Sequence, residues 1–379
     1  MTRRLATQNP VRRRLAVERL ETRMLLDSAG LGSSGVTGDA IDLGDLVFHR
    51  DEHVNLDAGD AVYQFRAAHD AQLTIDATDT EGDCIISLYD SNQQLLERQA
   101  TTAESSASSR VDYAATAGES FYVTISGNDS DLEVRIGNQV GRDSPVSVYG
   151  STADDVVDVG GTTVTVNGIE YHFAVLTAID EDPLRFMIDG AEGSDTVVLR
   201  SQENAEMHCR PDLVTWTTHS CEVEATDVAI VLAYGHGDHD IAHLHGSPER
   251  DELKIEGESN LLKLIGSEYL SRVKFFEDVI VDAGEGQDQT RIWDTETDEQ
   301  FFFHPDESMF EFASLRGWKV RGYRFEDTVV RCLAGGTDWG ALYDSDGDDL
   351  FLARPHKAEW SGPGFGLTLR GMDFVEAYS

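Results

Sequence analysis

A run of carboxylates near the end of the chain has the residue types that a calcium ion prefers. Asp344, Asp346, Asp348 and Asp349 surround Gly347 in the segment DSDGDD. Calcium takes oxygen ligands from such alternating acids, and a central glycine permits the tight turn that brings them together. The segment lacks the glutamate that closes an EF-hand loop, so it predicts a calcium-binding turn of another kind. The alternative is an ordinary Asp-Gly turn that only water contacts.

The histidines cluster in the segment YGHGDHDIAHLH, which spans residues 234–245. His243 and His245 stand two residues apart and would share one face of a strand. Imidazole nitrogens beside a carboxylate are typical ligands of zinc and other transition metals. His239, His243 and His245 are therefore candidate metal ligands, with an exposed polar strand edge as the alternative.

No catalytic motif emerges from the other polar residues. The chain has no GxSxG, HExxH or phosphate loop, and no GxGxxG that joins a predicted strand to a helix. Pairs of carboxylates are abundant, and a glycosidase-type pair can hide among them, but the sequence singles none out. No catalytic residue is therefore assigned. Four tryptophans are candidates for stacking on sugar rings or for packing in the core: Trp216, Trp293, Trp339 and Trp360.

Three landmarks recur in the same order along the second part of the chain, so repeated elements must position these residues. The first landmark is a turn glycine at Gly193, Gly237, Gly286 and Gly336, with spacings of 44, 49 and 50 residues. A short apolar strand and then an acidic turn form the second landmark. The third begins with the segments ATDV, FEDV, FEDT and MDFV, at residues 225, 276, 325 and 372. Such regularity is typical of a stacked repeat.

These repeats predict a β-solenoid over residues 144–379. Each unit of about 48 residues holds about four short strands and hardly any helical periodicity. One unit cannot bury its apolar face alone, so neighbouring units must stack. A unit of this length is enough for two coils of a parallel β-helix. The rival interpretation is a tandem row of β-sandwiches.

Residues 38–140 are predicted to form a separate β-sandwich. Apolar alternation separated by turn residues occurs in six segments, 61–65, 72–76, 85–89, 110–113, 120–125 and 132–136. That many short strands favour an antiparallel sandwich. The segments LTIDA, ISLYD and DYAATAGESFYVTISG resemble the bacterial pre-peptidase C-terminal domain. The resemblance implies a jelly-roll-like fold for this sandwich, and an accessory or binding role rather than catalysis.

Residues 1–30 read as a basic targeting segment. Seven arginines fall within residues 1–26, and the leucines there have roughly helical spacing. The segment is not a standard signal peptide because it has no uninterrupted apolar stretch. Residues 20–26, LETRMLL, resemble the LEPR-XLL motif of large secreted planctomycete-type proteins, with Thr22 where the family has proline. The resemblance implies export, and residues 31–37 follow as a flexible linker.

The charge and the cysteines narrow the choice of partner and compartment. The chain carries 30 Lys+Arg against 70 Asp+Glu, a net charge of −40, which repels nucleic acid and anionic lipid and attracts cations. No apolar run is long enough for a membrane helix.

Cys209 and Cys221 flank a predicted hairpin and could pair in an oxidising compartment. Cys84 and Cys332 are expected to be buried thiols.

These patterns favour a secreted or cell-surface, non-enzymatic protein with a structural or adhesive role. Calcium at the Asp/Gly turns would neutralise adjacent carboxylates and stiffen the stack. The expected partner is a cell-envelope or extracellular polysaccharide, and no nucleic acid. The alternative is a secreted polysaccharide lyase or glycosidase on a β-helix, with the N-terminal sandwich aiding attachment. The sequence leaves the oligomeric state open.

Overall fold

Strands account for the regular structure of the chain. The computed structural model describes residues 39–78, 82–101, 109–129, 131–173, 183–305, 309–314 and 317–378. The predicted targeting segment and linker lie outside these residues. The described residues form 34 strands and two short 3-10 helices, Leu56–Ala58 and Gly257–Ser259, so the all-β class is confirmed. None of these helices has the length and hydropathy needed to cross a membrane.

The chain divides into two compact units. The first comprises Met1–Ser151 and Thr165–Ile179, and the second comprises Thr152–Val164 and Asp180–Ser379. The first ten strands belong to the first unit: β1 (Ile41–Leu46), β2 (Phe48–Val54), β3 (Ala61–Ala67), β4 (Ala71–Thr78), β5 (Cys84–Asp90), β6 (Leu95–Thr101), β7 (Ser109–Ala114), β8 (Ser120–Gly127), β9 (Leu132–Gly141) and β10 (Val146–Tyr149).

The first unit has two sheets that share one core. One sheet has the strand order β1-β3-β8-β5-β6, and the other has the order β10-β9-β4-β7 with β2 paired to β9. Ile75 on β4, Val123 on β8 and Ile136 on β9 are fully buried in a common apolar cluster. All six strands predicted from apolar alternation are present, whereas the polar strands β1, β2 and β6 were not predicted.

The remaining strands begin at residue 156. They are β11 (Val156–Gly160), β12 (Thr163–Val166), β13 (Ile169–His172), β14 (Leu184–Asp189), β15 (Thr196–Arg200), β16 (Glu206–Arg210), β17 (Leu213–Thr217), β18 (Cys221–Thr226), β19 (Ile230–Tyr234), β20 (Ile241–His245), β21 (Glu252–Glu256), β22 (Leu261–Ile265), β23 (Leu270–Lys274), β24 (Asp278–Asp282), β25 (Gln289–Trp293), β26 (Glu299–His304), β27 (Met309–Ser314), β28 (Lys319–Tyr323), β29 (Asp327–Arg331), β30 (Trp339–Tyr343), β31 (Leu350–Arg354), β32 (Lys357–Gly362), β33 (Phe365–Arg370) and β34 (Phe374–Tyr378). β12 crosses the division between the units, and β13 belongs to the first.

The second unit is a β-solenoid made of two sheets. Sheet I has the order β14-β18-β17-β16-β20-β24-β28-β27-β26-β30-β34, and sheet II has the order β11-β15-β19-β23-β22-β21-β25-β29-β33-β32-β31. Consecutive coils pair in parallel, as in β15 with β19 and β20 with β24. Three-stranded antiparallel meanders interrupt this parallel order, and β16–β17–β18 is the first of them.

The repeat consists of one meander followed by two single strands. The meanders start with β16, β21, β26 and β31, whose first residues are 46, 47 and 51 positions apart, so the predicted period is confirmed. Within one repeat the chain enters a sheet three times, once for the meander and once for each single strand. Successive elements lie in alternate sheets. An odd number of visits places successive meanders on opposite sheets. One repeat is therefore one and a half coils, and the predicted two coils per repeat is wrong.

The solenoid core is filled by alternate residues of the strands, except in β31 and β34, where no residue is buried. In β20, β21 and β22 the second and fourth residues are buried and the others point outward, as expected for strands with one solvated face. Trp216 and Trp360 are 2 % and 5 % exposed and pack in this core. Trp293 and Trp339 point outward and are half-buried.

The disulfide considered between Cys209 and Cys221 is not formed. All four cysteines are free and buried. The predicted hairpin exists, but Cys209 faces Val214 within the meander, whereas Cys221 begins β18 beside the turn that follows β17. The two thiols therefore lie at different heights on the first and third strands.

Candidate functional site

The turn that leads into each meander has one design in all four repeats. A side-chain hydroxyl accepts the main-chain N–H two residues later, at 2.9–3.2 Å, and the hydroxyls belong to Ser201, Ser247, Thr295 and Ser345. In three copies an acid four residues after the hydroxyl residue accepts that residue's N–H, and these acids are Asp251, Glu299 and Asp349. Such local bonds define a tight polar turn. The segment predicted to bind calcium is the fourth copy of this turn.

The four predicted calcium ligands have different surroundings. Asp349 is half-buried, and its Oδ2 accepts the hydroxyl of Ser345 at 2.7 Å. Asp344, Asp346 and Asp348 are exposed on the same turn. Three exposed carboxylates thus lie on one turn and the fourth closes it, but among the described residues these acids are not one of the groups whose ligand atoms lie within 4.8 Å of one another.

A second set of acids connects neighbouring coils through what we call acid ladders. In each ladder, a main-chain N–H of one coil donates to a carboxylate of the next coil. Asp251 N donates to Asp288 Oδ1 at 2.7 Å, and Asp288 N donates to Glu326 Oε2 at 2.6 Å. Equivalent bonds join Ala205 to Asp240 to Glu277, Glu299 to Asp338 to Asp373, and Asp155 to Asp195.

The acids of the ladders come from two of the recurring sequence landmarks. Asp195, Asp240, Asp288 and Asp338 each follow a turn glycine and are called the middle acids, although Asp195 ends a ladder of only two residues; Glu277, Glu326 and Asp373 belong to the third landmark. The middle acids are at most 2 % exposed. A buried main-chain N–H must find an acceptor, and these carboxylates provide it. The acids therefore hold the coils in register.

Burial changes the acid strength of the ladder carboxylates. Loss of water raises the pKa of Asp288 to about 6 and the pKa of Asp338 to about 7. The accepted main-chain hydrogen bonds oppose these shifts, and neighbouring acids add to them. Burial also raises the pKa of Asp195, Asp240 and Asp251. The sequence indicated acidic turns but not that their carboxyls would be withdrawn from water.

Asp338 belongs to a buried group with Asp294 and Cys332. One potential ligand atom from each of the three lies within 4.8 Å of the others. Asp294 Oδ2 accepts the main-chain N–H of Ala334 at 2.9 Å, and burial raises the pKa of the Cys332 thiol. A thiol kept protonated is a poor nucleophile and a poor metal ligand. The contacts of this group are those of a structural core.

The histidines predicted as metal ligands are separated into two places. His243 and His245 lie on the outer face of β20, as expected, whereas His239 is exposed on the preceding turn, where its N–H donates to Asn204 Oδ1 at 3.2 Å. His208 on β16 joins His243 instead, with ring centroids 4.4 Å apart and planes 5° apart. His245 faces a shallow groove beside Asp282.

Glu206, His208 and His243 form the more compact ligand set, which we call the outer histidine cluster. One potential ligand atom from each lies within 4.8 Å of the others, and Glu206 Oε1 is 3.1 Å from His208 Nε2. Burial and the neighbouring His208 lower the pKa of His243, which favours the neutral ring that binds metals. The sequence missed His208 because it lies 35 residues before His243 and only the strand register joins them.

Comparison with known proteins yields little similarity. No family model and no curated protein matches this chain. One solved structure, the pre-peptidase C-terminal domain of a collagenase from Bacillus anthracis, is 14% identical over 27% of this chain and 98% of that domain, with a TM-score of 0.21. A similarity of this size carries no argument. The fold and the turns therefore define only a class, an all-β protein with a β-solenoid of five-stranded repeats.

Proposed function

We propose that this chain is a secreted or cell-surface protein with a structural or adhesive role and no catalytic activity. The acid ladders are the observation that carries the proposal. Carboxylates such as Asp240 and Asp288 accept main-chain N–H groups of neighbouring coils, so their role is to hold the solenoid together. Stacked repeats of this kind present extended surfaces suited to binding.

The alternative, a polysaccharide-cleaving enzyme, has less support. A glycosidase needs two carboxyl groups that flank an accessible bond, and acid catalysis favours a raised pKa. Asp288 and Asp338 have pKa values raised in this way, but they are only 1 % and 2 % exposed. The acids best tuned for proton transfer are thus not placed to meet a substrate.

Export, calcium binding and a polysaccharide partner belong to the same proposal. The LEPR-XLL-like residues 20–26 support export. Calcium would bind at the exposed carboxylates of Asp344, Asp346 and Asp348, which belong to one turn. There the ion would relieve the repulsion between neighbouring negative charges, adding stability to coils already joined by the ladders.

Two measurements test the proposal. The full chain is incubated with a panel of acidic and neutral polysaccharides, and both release of reducing ends or unsaturated uronides and retention on the immobilised polymers are recorded. We expect retention without turnover. In parallel, protease treatment of intact producing cells should remove the protein from the surface. Sustained turnover by the purified chain, or protection from protease until the cells are lysed, would overturn the proposal.

A further inference from the structure

The two outer faces of the solenoid carry opposite charge. Among the described strands, the outward positions of sheet I hold four Lys or Arg and eight Asp or Glu residues. The outward positions of sheet II hold ten Lys or Arg and five Asp or Glu residues. A basic face on a chain with a net charge of −40 calls for a physical explanation.

Four cations stand side by side on sheet II and form what we call the basic row. Arg331 is the register partner of Arg370, Arg370 that of Lys357, and Lys357 that of Arg354. Neighbouring strands are about 4.8 Å apart, so the row extends over roughly 15 Å. Arg354 and Arg370 are exposed. The row is thus a straight and accessible line of positive charge.

The basic row is unfavourable for the folded protein by itself. Like charges placed directly opposite each other on a sheet repel. Lys357 is relieved by an ion pair with Glu359, and Glu359 also interacts electrostatically with Arg354 and Arg370, so one acid serves three of the four cations. An anionic partner laid along the row would remove the repulsion.

Aromatic rings continue the line on the same face. Trp293 is the register partner of Arg331, whose guanidinium lies 5.5 Å from the centre of the tryptophan ring. Toward the other end of the sheet, Arg200 and Arg272 lie 4.8 and 5.1 Å from the ring centre of Tyr234. A guanidinium held over an aromatic face is restricted in orientation, so it is pre-organised to donate hydrogen bonds to an anionic group.

We propose that the basic row and Trp293 bind an anionic polysaccharide that lies across the strands, along the direction in which the coils stack. Carboxylate or sulfate groups would accept hydrogen bonds from Arg354, Arg370 and Lys357, and a sugar ring would stack on Trp293. This inference rests on the proposed function and deepens it by naming the surface and the class of ligand.

Nucleic acid fits this surface less well. The basic row is one side chain wide, and the neighbouring outward positions hold Val329, Thr368 and Glu359. A duplex carries one charge about every 1.7 Å, distributed over two strands, which a single line of cations does not match. A polysaccharide has charges farther apart and presents them along a single chain.

The test compares two matched double variants of the full chain. Arg354→Gln with Arg370→Gln removes two charges from the basic row, and Arg185→Gln with Arg210→Gln removes two exposed charges from sheet I. Binding to polygalacturonate and to dextran sulfate is measured by calorimetry, with neutral dextran, a DNA duplex and phosphatidylglycerol vesicles as further probes. We expect the wild-type chain to bind the two anionic polysaccharides. Its affinity for each of the other probes should be at least tenfold lower.

The basic-row variant should bind about tenfold more weakly for each arginine removed, because a hydrogen bond from a charged group contributes about a decade of affinity. The sheet I variant should bind and melt like the wild type, and the basic-row variant should melt no lower than the wild type, because removing two of its charges relieves the repulsion within the row. Quenching of tryptophan fluorescence by polygalacturonate should disappear in Trp293→Phe. Equal losses in both double variants, or tighter binding of the DNA duplex or the vesicles, would refute the assignment. Absence of any polyanion binding would also refute the assignment. It would not contradict the proposal that the chain is a non-enzymatic protein at the cell surface.

Discussion

The main-chain N–H of Asp251 donates a 2.7 Å hydrogen bond to Oδ1 of Asp288, which lies one coil further along the solenoid. Both residues are at most 1 % exposed. The bond joins two turns that are 37 residues apart in the sequence, and it recurs in each of the other ladders. A single carboxylate thereby couples the position of one coil to that of the next.

Removal of the Asp288 carboxylate should weaken the solenoid. Asp288→Ala leaves the N–H of Asp251 buried without this acceptor, and we expect a loss of about 1–3 kcal/mol in the free energy of unfolding. Asp288→Asn keeps an oxygen acceptor and should lose less than about 1 kcal/mol. Urea unfolding followed by circular dichroism measures both. Asp348→Ala, an exposed turn acid, is the control and should stay within about 0.5 kcal/mol of wild type; equal losses in Asp288→Ala and Asp348→Ala would contradict the ladder.

The solenoid should become less stable as the pH rises from 5 to 8. The folded state raises the pKa of Asp288 to about 6 and that of Asp338 to about 7, both above the value of an unfolded aspartate. The folded state therefore binds these protons more tightly, and their contribution is complete below the unfolded pKa and lost as the pH passes 6 to 7. Melting temperatures across this range measure the slope. Asp338→Asn cannot titrate and should show a shallower slope than wild type, whereas an unchanged slope would rule out this role for Asp338.

The sequence predicted the repeat because turn residues recur at regular distances, but it did not reveal which side chains share a row. Gly193, Gly237, Gly286 and Gly336 marked the period correctly. The pairing of His208 with His243 depends on the register between β16 and β20. In the basic row, the meander reverses the chain direction and inserts Lys357 between Arg370 and Arg354. Sequence spacing alone cannot supply such neighbours, since they depend on how the coils stack.

The sequence also did not reveal which of the acids are buried. Asp288 and Asp348 have the same side chain and both lie in acidic turns, yet one is 1 % exposed and the other lies on the surface. The difference comes from the neighbouring coil, which covers Asp288 and offers it the N–H of Asp251. Residue type thus predicted a turn, while tertiary stacking decided whether its carboxylate met water or main chain.

Gly336, one of the landmark glycines, should not tolerate a side chain. Its φ is +81°, and a Cβ atom would lie 2.0 Å from the carbonyl oxygen of Thr297 on the neighbouring coil. Gly364 is a matched control because its φ is +85° and no heavy atom lies within 4 Å of an added Cβ. Alanine at either position incurs about 1–2 kcal/mol of backbone strain, and Gly336→Ala should lose at least about 1 kcal/mol more from the clash. Thermal unfolding of the two variants measures this difference, and similar losses would show that the coils can move apart.

The four thiols should be reduced and unreactive in the native protein. Burial raises the pKa of Cys209 to about 11 and that of Cys221 to about 12, and the thiolate is the reactive form. Iodoacetamide at neutral pH should therefore label none of the four in the folded chain. In denaturant without a reductant it should label all four, as counted by intact mass. Only two labels in denaturant would reveal a disulfide and contradict the free Cys209 and Cys221 of this structure.

The outer histidine cluster should bind one zinc ion, with His208 and His243 as ligands and His239 uninvolved. The two rings are stacked 4.4 Å apart, Glu206 completes the set within 4.8 Å, and the lowered pKa of His243 keeps its ring neutral at pH 7. Competition of the full chain with a chromogenic zinc indicator measures the affinity. His208→Ala and His243→Ala should each abolish binding, and His239→Ala should retain it. Binding should also fall as the pH is lowered from 7 to 5, because protons compete for the imidazoles. Loss of binding in His239→Ala would show that the turn before β20 contributes a ligand. Full binding in His208→Ala would show that the stacked pair of histidines is not the site.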